Sequence, residues 1–428
     1  MKPVFFTNAR LIDPASGLDT LGTLLVENGV IAAVNAGGKP PKEATVIDAG
    51  GAVLAPGLID MRVQSRNPGH AHQESRTSLA RAAAAGGITS LVCLPNTNPV
   101  LDEPDSLAAL IRHDNRAEAP RLYAYGAATQ GLEDKAMAEL GLLAEAGAVG
   151  FTNAIRPISG SLMMRRIMDY AAMLDKPVIQ HAEDLALSHD GEMNEGENST
   201  RLGLRGIPAE SEEIMIARDL TLARLTGARY HIAHVSTRRG VELIRRAKAE
   251  GIAVTADTAP PYFMLNDLAV MEYDTRFQLN PPLRSDDDRL AILEGIADGT
   301  IDCIASDHAP HDRDSKLLPF GLAARGASGL ETLLAMVVGL SVQGVVSLSR
   351  ALEMVTSAPA TLLDLPGGSL MEGAAADLVL IDPDRGWQVR GENFHSLSKS
   401  TPFEGQPVQG MVISTWVDGV MIHPAEMD

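Results

Sequence analysis

Two histidines and an aspartate, His181, His234 and Asp307, lie far apart in the sequence, yet each ends a short apolar run. They sit in Gln180-His181-Ala182-Glu183, His231-Ile232-Ala233-His234-Val235-Ser236-Thr237 and Ser306-Asp307-His308-Ala309-Pro310-His311. Imidazole and carboxylate suit zinc, and a catalytic zinc takes about three protein ligands with one position left for water. If the runs are neighbouring strands of a barrel, all three side chains point toward one axial cavity. Taken singly, each histidine also fits a rim residue bonded to backbone, and Asp307 a turn cap. Both readings stay open at this stage. A two-metal site needs a bridging anion between cations roughly 3.5 to 4 Å apart. The fourth run ends Gly150-Phe151-Thr152-Asn153, with neither lysine nor acid, so at most one zinc ion is expected, or none.

A second polar set is Arg66, Asn96, Asn280 and His311. A guanidinium grips a carboxylate bidentately, an amide pairs with a ring amide through donor and acceptor, and His311 reaches a bound anion or carbonyl. Arg66, Asn96 and Asn280 each stand close to a proline, so turn structure explains them equally well when taken singly. His70-Ala71-His72 follows Pro68-Gly69 and reads as exposed loop, not as a ligand pair, and His308 as a support for its turn. The Gly-x-Ser-x-Gly elbow, the Walker loop and the dinucleotide fingerprint are absent from the sequence, which leaves serine hydrolysis, phosphoryl transfer and hydride transfer without local support.

The elements that must position these residues are legible as alternation. Eight apolar runs, from Leu58 to Val63, Ile88 to Leu94, Arg121 to Tyr125, Ala148 to Thr152, Pro177 to His181, Tyr230 to His234, Ala253 to Ala256 and Ile301 to Ser306, are separated by alanine-rich amphipathic stretches. Those stretches include Ser75 to Ala85, Asp134 to Ala146 and Val241 to Glu250. Eight βα units predict a (β/α)8 TIM barrel over 56–361, an α/β fold whose active site is at the C-terminal ends of the strands. The termini, 1–55 and 362–428, read as short strands and turns and predict one small composite β-sandwich domain. Glu192 to Glu213 is long for a βα connection and is expected to cover the same face as a lid or contact surface.

The chain of 428 residues is 45% hydrophobic and 21% charged, ordinary for a folded protein, and its net charge of -19 argues against a nucleic-acid partner. No apolar run approaches a membrane span and the start lacks a secretory pattern, so a soluble cytoplasmic protein is expected, without a membrane partner. Cys93 and Cys303 sit in apolar runs and read as buried reduced thiols. Self-association into a homo-oligomer is also expected.

Residues 57 to 69, Pro95-Asn96-Thr97-Asn98-Pro99, His234-Val235-Ser236-Thr237, Asn280-Pro281-Pro282-Leu283-Arg284-Ser285 and Asp307-His308-Ala309-Pro310-His311 together resemble the dihydroorotases of the amidohydrolase superfamily. The resemblance covers nearly the whole chain. It implies reversible opening of the cyclic amide of dihydroorotate to N-carbamoyl-aspartate in pyrimidine synthesis. It implies Arg66, Asn96, Asn280 and His311 as substrate contacts, His181 and His234 as zinc ligands, and Asp307 as ligand and general acid/base. The departures fall at the reaction centre. Arg62 and Gln64 stand where the family carries a His-x-His, Thr152 or Asn153 where a bridging acid is expected, and Pro260-Pro261-Tyr262 where it has Pro-His-His. Family members lacking metal ligands serve as noncatalytic partners of aspartate transcarbamoylase, and that role is the expectation for this chain. The alternative is an active one-zinc dihydroorotase or related cyclic amidohydrolase.

Overall fold

The computed structural model describes residues 2–35, 40–114 and 119–424. Eight parallel strand positions form a barrel: β1 Leu58–Val63, β2 Ile88–Cys93, β3 Arg121–Ala124 continuing at Gly126–Ala127, β4 Phe151–Thr152, β5 Val178–His181, β6 Tyr230–Ala233, β7 Val254–Thr258 and β8 Cys303–Ile304. A parallel bridge between Val63 and His308 and the bond from Gln64 N to His308 O, 2.9 Å, tie β1 to the chain leaving β8. Strands buried on both faces read as continuous apolar runs, which is why periodicity alone found all eight. The apolar side chains of Ile59, Val92, Ile179, Ala233 and Ala305 belong to one buried cluster, so the barrel is a packed core.

Helix starts follow their caps. Ser75 and Ser78 form a reciprocal capping box before Arg76–Ala85, and the side chain of Thr237 caps Arg238–Ala249. The predicted helix from Asp134 to Ala146 is only Leu140–Glu145, because Asp134 turns its carboxylate to the backbone of Ser159 and Gly160, which sets that stretch as a turn. The stretch from Glu192 is structured: Met193–Asn194 pairs in parallel with Gly206–Ile207 around the helix Glu197–Leu202, and Glu210–Thr226 is already the next barrel helix.

Both termini build one eight-stranded sheet in which Val53–Pro56, from the N-terminal part, pairs with Leu378–Gln388, from the C-terminal part. The helix Leu333–Val342 lies on Pro407–Val417, where Gly410 at φ 95° permits a close approach; a Cβ there would meet Val338 at 3.0 Å. At the junction, Arg121 of β3 grips buried Asp377 through Nε, 2.7 Å, and Nη2, 3.1 Å, and also reaches Asp418. Removing one partner of such a pair leaves the other charge uncompensated. Asp377→Ala is expected to cost roughly 3 kcal/mol in urea unfolding. A loss below about 0.5 kcal/mol would mean that the pair behaves as an exposed one and does not fasten the sheet to the barrel.

Candidate active site

The strand ends deliver their polar residues to one place, and the backbone there is unusual. Arg66, Ala154, His234 and Asp307 have φ of 56°, 61°, 38° and 51°, left-handed values that side-chain-bearing residues rarely adopt and that cluster at functional sites. At the centre lies Arg62, its side chain 3% exposed. Its Nε donates to Asp307 Oδ1 at 2.9 Å and its Nη2 to Ala154 O at 3.3 Å, while Nη1 is buried without a partner. Burial pushes the Asp307 carboxyl upward, and the Arg62 charge opposes that rise.

His181 and His234 face each other, with Nδ1 of the first 3.0 Å from Nε2 of the second. The remaining nitrogen of His181 meets Glu183 Oε2 at 2.8 Å. Against the effect of burial, His181 holds the Glu183 carboxyl down to about 2. His234 is pushed well below its ordinary value, first by burial and then by Arg62, so its ring is neutral; its Nδ1 has no partner. Glu183 follows His181 by two residues, and its part in orienting that ring carries no spacing signal in the sequence.

The structure thus gathers His181, His234 and Asp307 at one end of the barrel, but not as a ligand triad. Among the described residues, no group of three or more His, Cys, Asp or Glu is arranged to hold a metal ion. The physical reason is Arg62, a fixed cation on the very carboxylate that would serve as ligand. A divalent ion beside it would meet like charge in a poorly screened interior. The fourth strand offers no anion either, since Asn153 Oδ1 accepts from Thr129 N and Oγ1 at 3.1 Å each and Thr152 Oγ1 from Ala154 N. With the Arg62 cation seated on Asp307, His181, His234 and Asp307 as arranged do not fit zinc together.

Beside this centre is a cavity of about 170 Å³ whose wall includes Gln64, Arg66, Tyr262, Asn280, Asp307 and His311. Arg66 donates through Nε to Pro310 O at 2.9 Å, and its Nη2 lies 3.2 Å from His311 Nε2. Burial lowers Arg66 to about 10, leaving it charged, and burial with Arg66 lowers His311 to about 4, leaving it neutral. Asn280 Nδ2 lies 3.4 Å from His181 Nε2. Asn96 is not among the residues that line the cavity. Its Nδ2 donates to Oε1 of the wall residue Gln64 at 3.0 Å, so that Asn96 stands behind Gln64. His70 and His72 are exposed, and His308 is buried 3.4 Å from Glu74. Tyr262 closes the seventh-strand side, its hydroxyl donating to Pro281 O at 3.1 Å.

The far wall comes from the C-terminal segment, which brings in Pro402 and Phe403. Glu74 accepts from Ser396 Oγ and Leu397 N, and Glu331 from His395 N, 2.9 Å, and Ser396 N, 3.1 Å. These two acids, invisible to motif reading, clamp that segment over the cavity.

Comparison with known proteins places this geometry. The family described as Dihydro-orotase-like matches residues 51–240, and the one described as Amidohydrolase family matches 212–423. A dihydroorotase of Syntrophotalea carbinolica is 46% identical over 416 residues, covering 97% of this chain and 98% of that protein. The chain belongs to the dihydroorotase family. Within that family, the dihydroorotase of Syntrophus aciditrophicus is 43% identical over 421 residues, covering 98% of this chain and 99% of that protein. The L-hydantoinase of Arthrobacter aurescens superposes with a TM-score of 0.88 at 29% identity, covering 99% of this chain and 96% of that one. A dihydropyrimidinase of Brevibacillus agri gives 0.85 at 21%, with the same coverage, a likeness of fold alone. This dihydroorotase-family chain therefore has the cyclic-amidohydrolase barrel around an arginine-filled centre. Among the described residues, no helix is long and apolar enough to cross a membrane.

Two outcomes follow for the site. Dialysed against equimolar zinc, the protein should retain well under one ion per chain, whereas Arg62→His combined with Gln64→His should retain one or more; equal zinc in both would contradict the role given to Arg62. Glu331 has its carboxyl pushed by burial from 4.5 up to about 7. The unfolded chain therefore gives up this proton first, and stability falls as pH rises from 4.5 to about 7, then levels. The fall should amount to roughly 2 to 3 kcal/mol and vanish in Glu331→Gln, as chemical denaturation at several pH values will show.

Proposed function

We propose that this dihydroorotase-family chain binds the pyrimidine precursors dihydroorotate and N-carbamoyl-aspartate but has little or no capacity to hydrolyse or close the cyclic amide. The observation that carries the reading is the buried Arg62 guanidinium on Asp307. Asp307 is the carboxylate that the family resemblance makes the proton shuttle. Bonded to a permanent cation, it is held below the basicity that burial alone would give it and has its Oδ1 occupied, and water left without an activating group is a poor nucleophile. Arg66, Asn280 and neutral His311 remain on the cavity wall, a set suited to a carboxylate and a ring amide. A protein that keeps this recognition without turnover fits an assembly role, and aspartate transcarbamoylase is the first partner to test by co-purification.

A second reading is an active dihydroorotase, and the family comparisons favour it. The relatives described above carry that name at 43 to 46% identity over nearly the full chain, and His181, His234, Asn280 and Asp307 are all present. It requires Arg62 to release Asp307. Turnover of purified protein in both directions, with metal content measured on the same samples and Asp307→Asn as control, separates the two. The proposal expects both proteins at the assay background; zinc-dependent turnover that disappears in Asp307→Asn would overturn it in favour of the second reading.

A further inference from the structure

The cavity carries a second guanidinium that neither the motifs nor the family comparison assigns. Arg325 lines it together with Arg66. Its backbone is fixed on both sides: Arg325 O accepts from His311 Nε2 at 2.8 Å, and Gly326 N donates to Gln278 O at 2.9 Å. The buried Lys316 ammonium pins the flanking turn by donating to Ala324 O at 2.8 Å and Gly326 O at 3.0 Å. The Arg325 side chain is steadied by donation from Nη2 to Gly191 O.

The charges on this wall do not balance. Arg66 donates to a carbonyl and stands 3.2 Å from the Nε2 of neutral His311, whose proton goes to Arg325 O, and the wall carboxylate, Asp307, is taken by Arg62. Glu183 lies close enough to Arg325 for the charges to interact, but its hydrogen bond is to His181. Two planar cationic forks on one small cavity match two carboxylates, since each fork pairs with a carboxylate more strongly than with a neutral carbonyl.

We infer that Arg325 is a second carboxylate contact and that the pocket selects an open-chain dicarboxylate, N-carbamoyl-aspartate, over the cyclic monocarboxylate. This rests on the binding reading above. Closing the ring converts one of the two carboxylates into an amide carbonyl and leaves one guanidinium without an anion.

Calorimetry on chelator-treated protein tests it with three probes: N-carbamoyl-aspartate, dihydroorotate, and N-carbamoyl-alanine, which is open-chain but has one carboxylate. The wild type should bind N-carbamoyl-aspartate about tenfold or more tightly than either other probe. Arg325→Gln should lose about tenfold for N-carbamoyl-aspartate and stay within about twofold for the other two, with Arg325→Lys in between. Arg66→Gln should weaken all three. Equal losses for all probes in Arg325→Gln, or no loss for any, would overturn the assignment while leaving the binding reading intact. Should Arg325→Gln fail to fold, Arg325→Lys decides by the same comparison. No binding of any probe to the wild type at millimolar concentration would remove the binding reading and this inference with it.

Discussion

The arrangement of this centre depends on one ion pair, Arg62 to Asp307 at 2.9 Å. A guanidinium almost wholly withdrawn from water needs an anion, and Asp307, turned inward on a left-handed backbone, supplies it. A divalent cation placed about 4 Å from Arg62 would be repelled by roughly 8 kcal/mol at an effective dielectric near 20. It would also compete with Arg62 for the same carboxylate oxygens. The same charge adds to burial in keeping His234 neutral, and the His234 ring meets His181 Nδ1 at 3.0 Å.

The surrounding fold gives this pair its rigidity. Arg62 projects from a strand buried along its whole length, and Asp307 follows the strand that closes the barrel onto it. The C-terminal segment, held by Glu74 and Glu331, joins the composite sheet to the same cavity, whose wall includes Pro402 and Phe403. Arg66, Arg325, Asn280 and His311 face the cavity, whereas the Arg62 guanidinium is packed behind Asp307.

Much of this was legible in the sequence because it depends on period. Eight apolar runs placed the strands, and the three that lead into His181, His234 and Asp307 brought those residues to one end. What escaped has no periodic signature. The pairing of Gln64 with Asn96 joins residues 32 apart and depends on side-chain reach. The clamp of Glu74 and Glu331 on Ser396 joins segments from opposite ends of the chain. The helix predicted from Asp134 failed because a local carboxylate bonded to backbone competes with helix formation, a choice that composition does not reveal. Arg62 could be recognised as a departure from the family pattern, but its anchorage on Asp307, instead of an outward rotamer, required the structure.

The most direct test of this account is a crystal structure of the wild type soaked in excess zinc, with anomalous scattering measured at the zinc edge. The account predicts the Arg62 guanidinium seated on Asp307 and no anomalous peak among His181, His234 and Asp307. A full-occupancy peak there, with Arg62 swung away from the carboxylate, would contradict it.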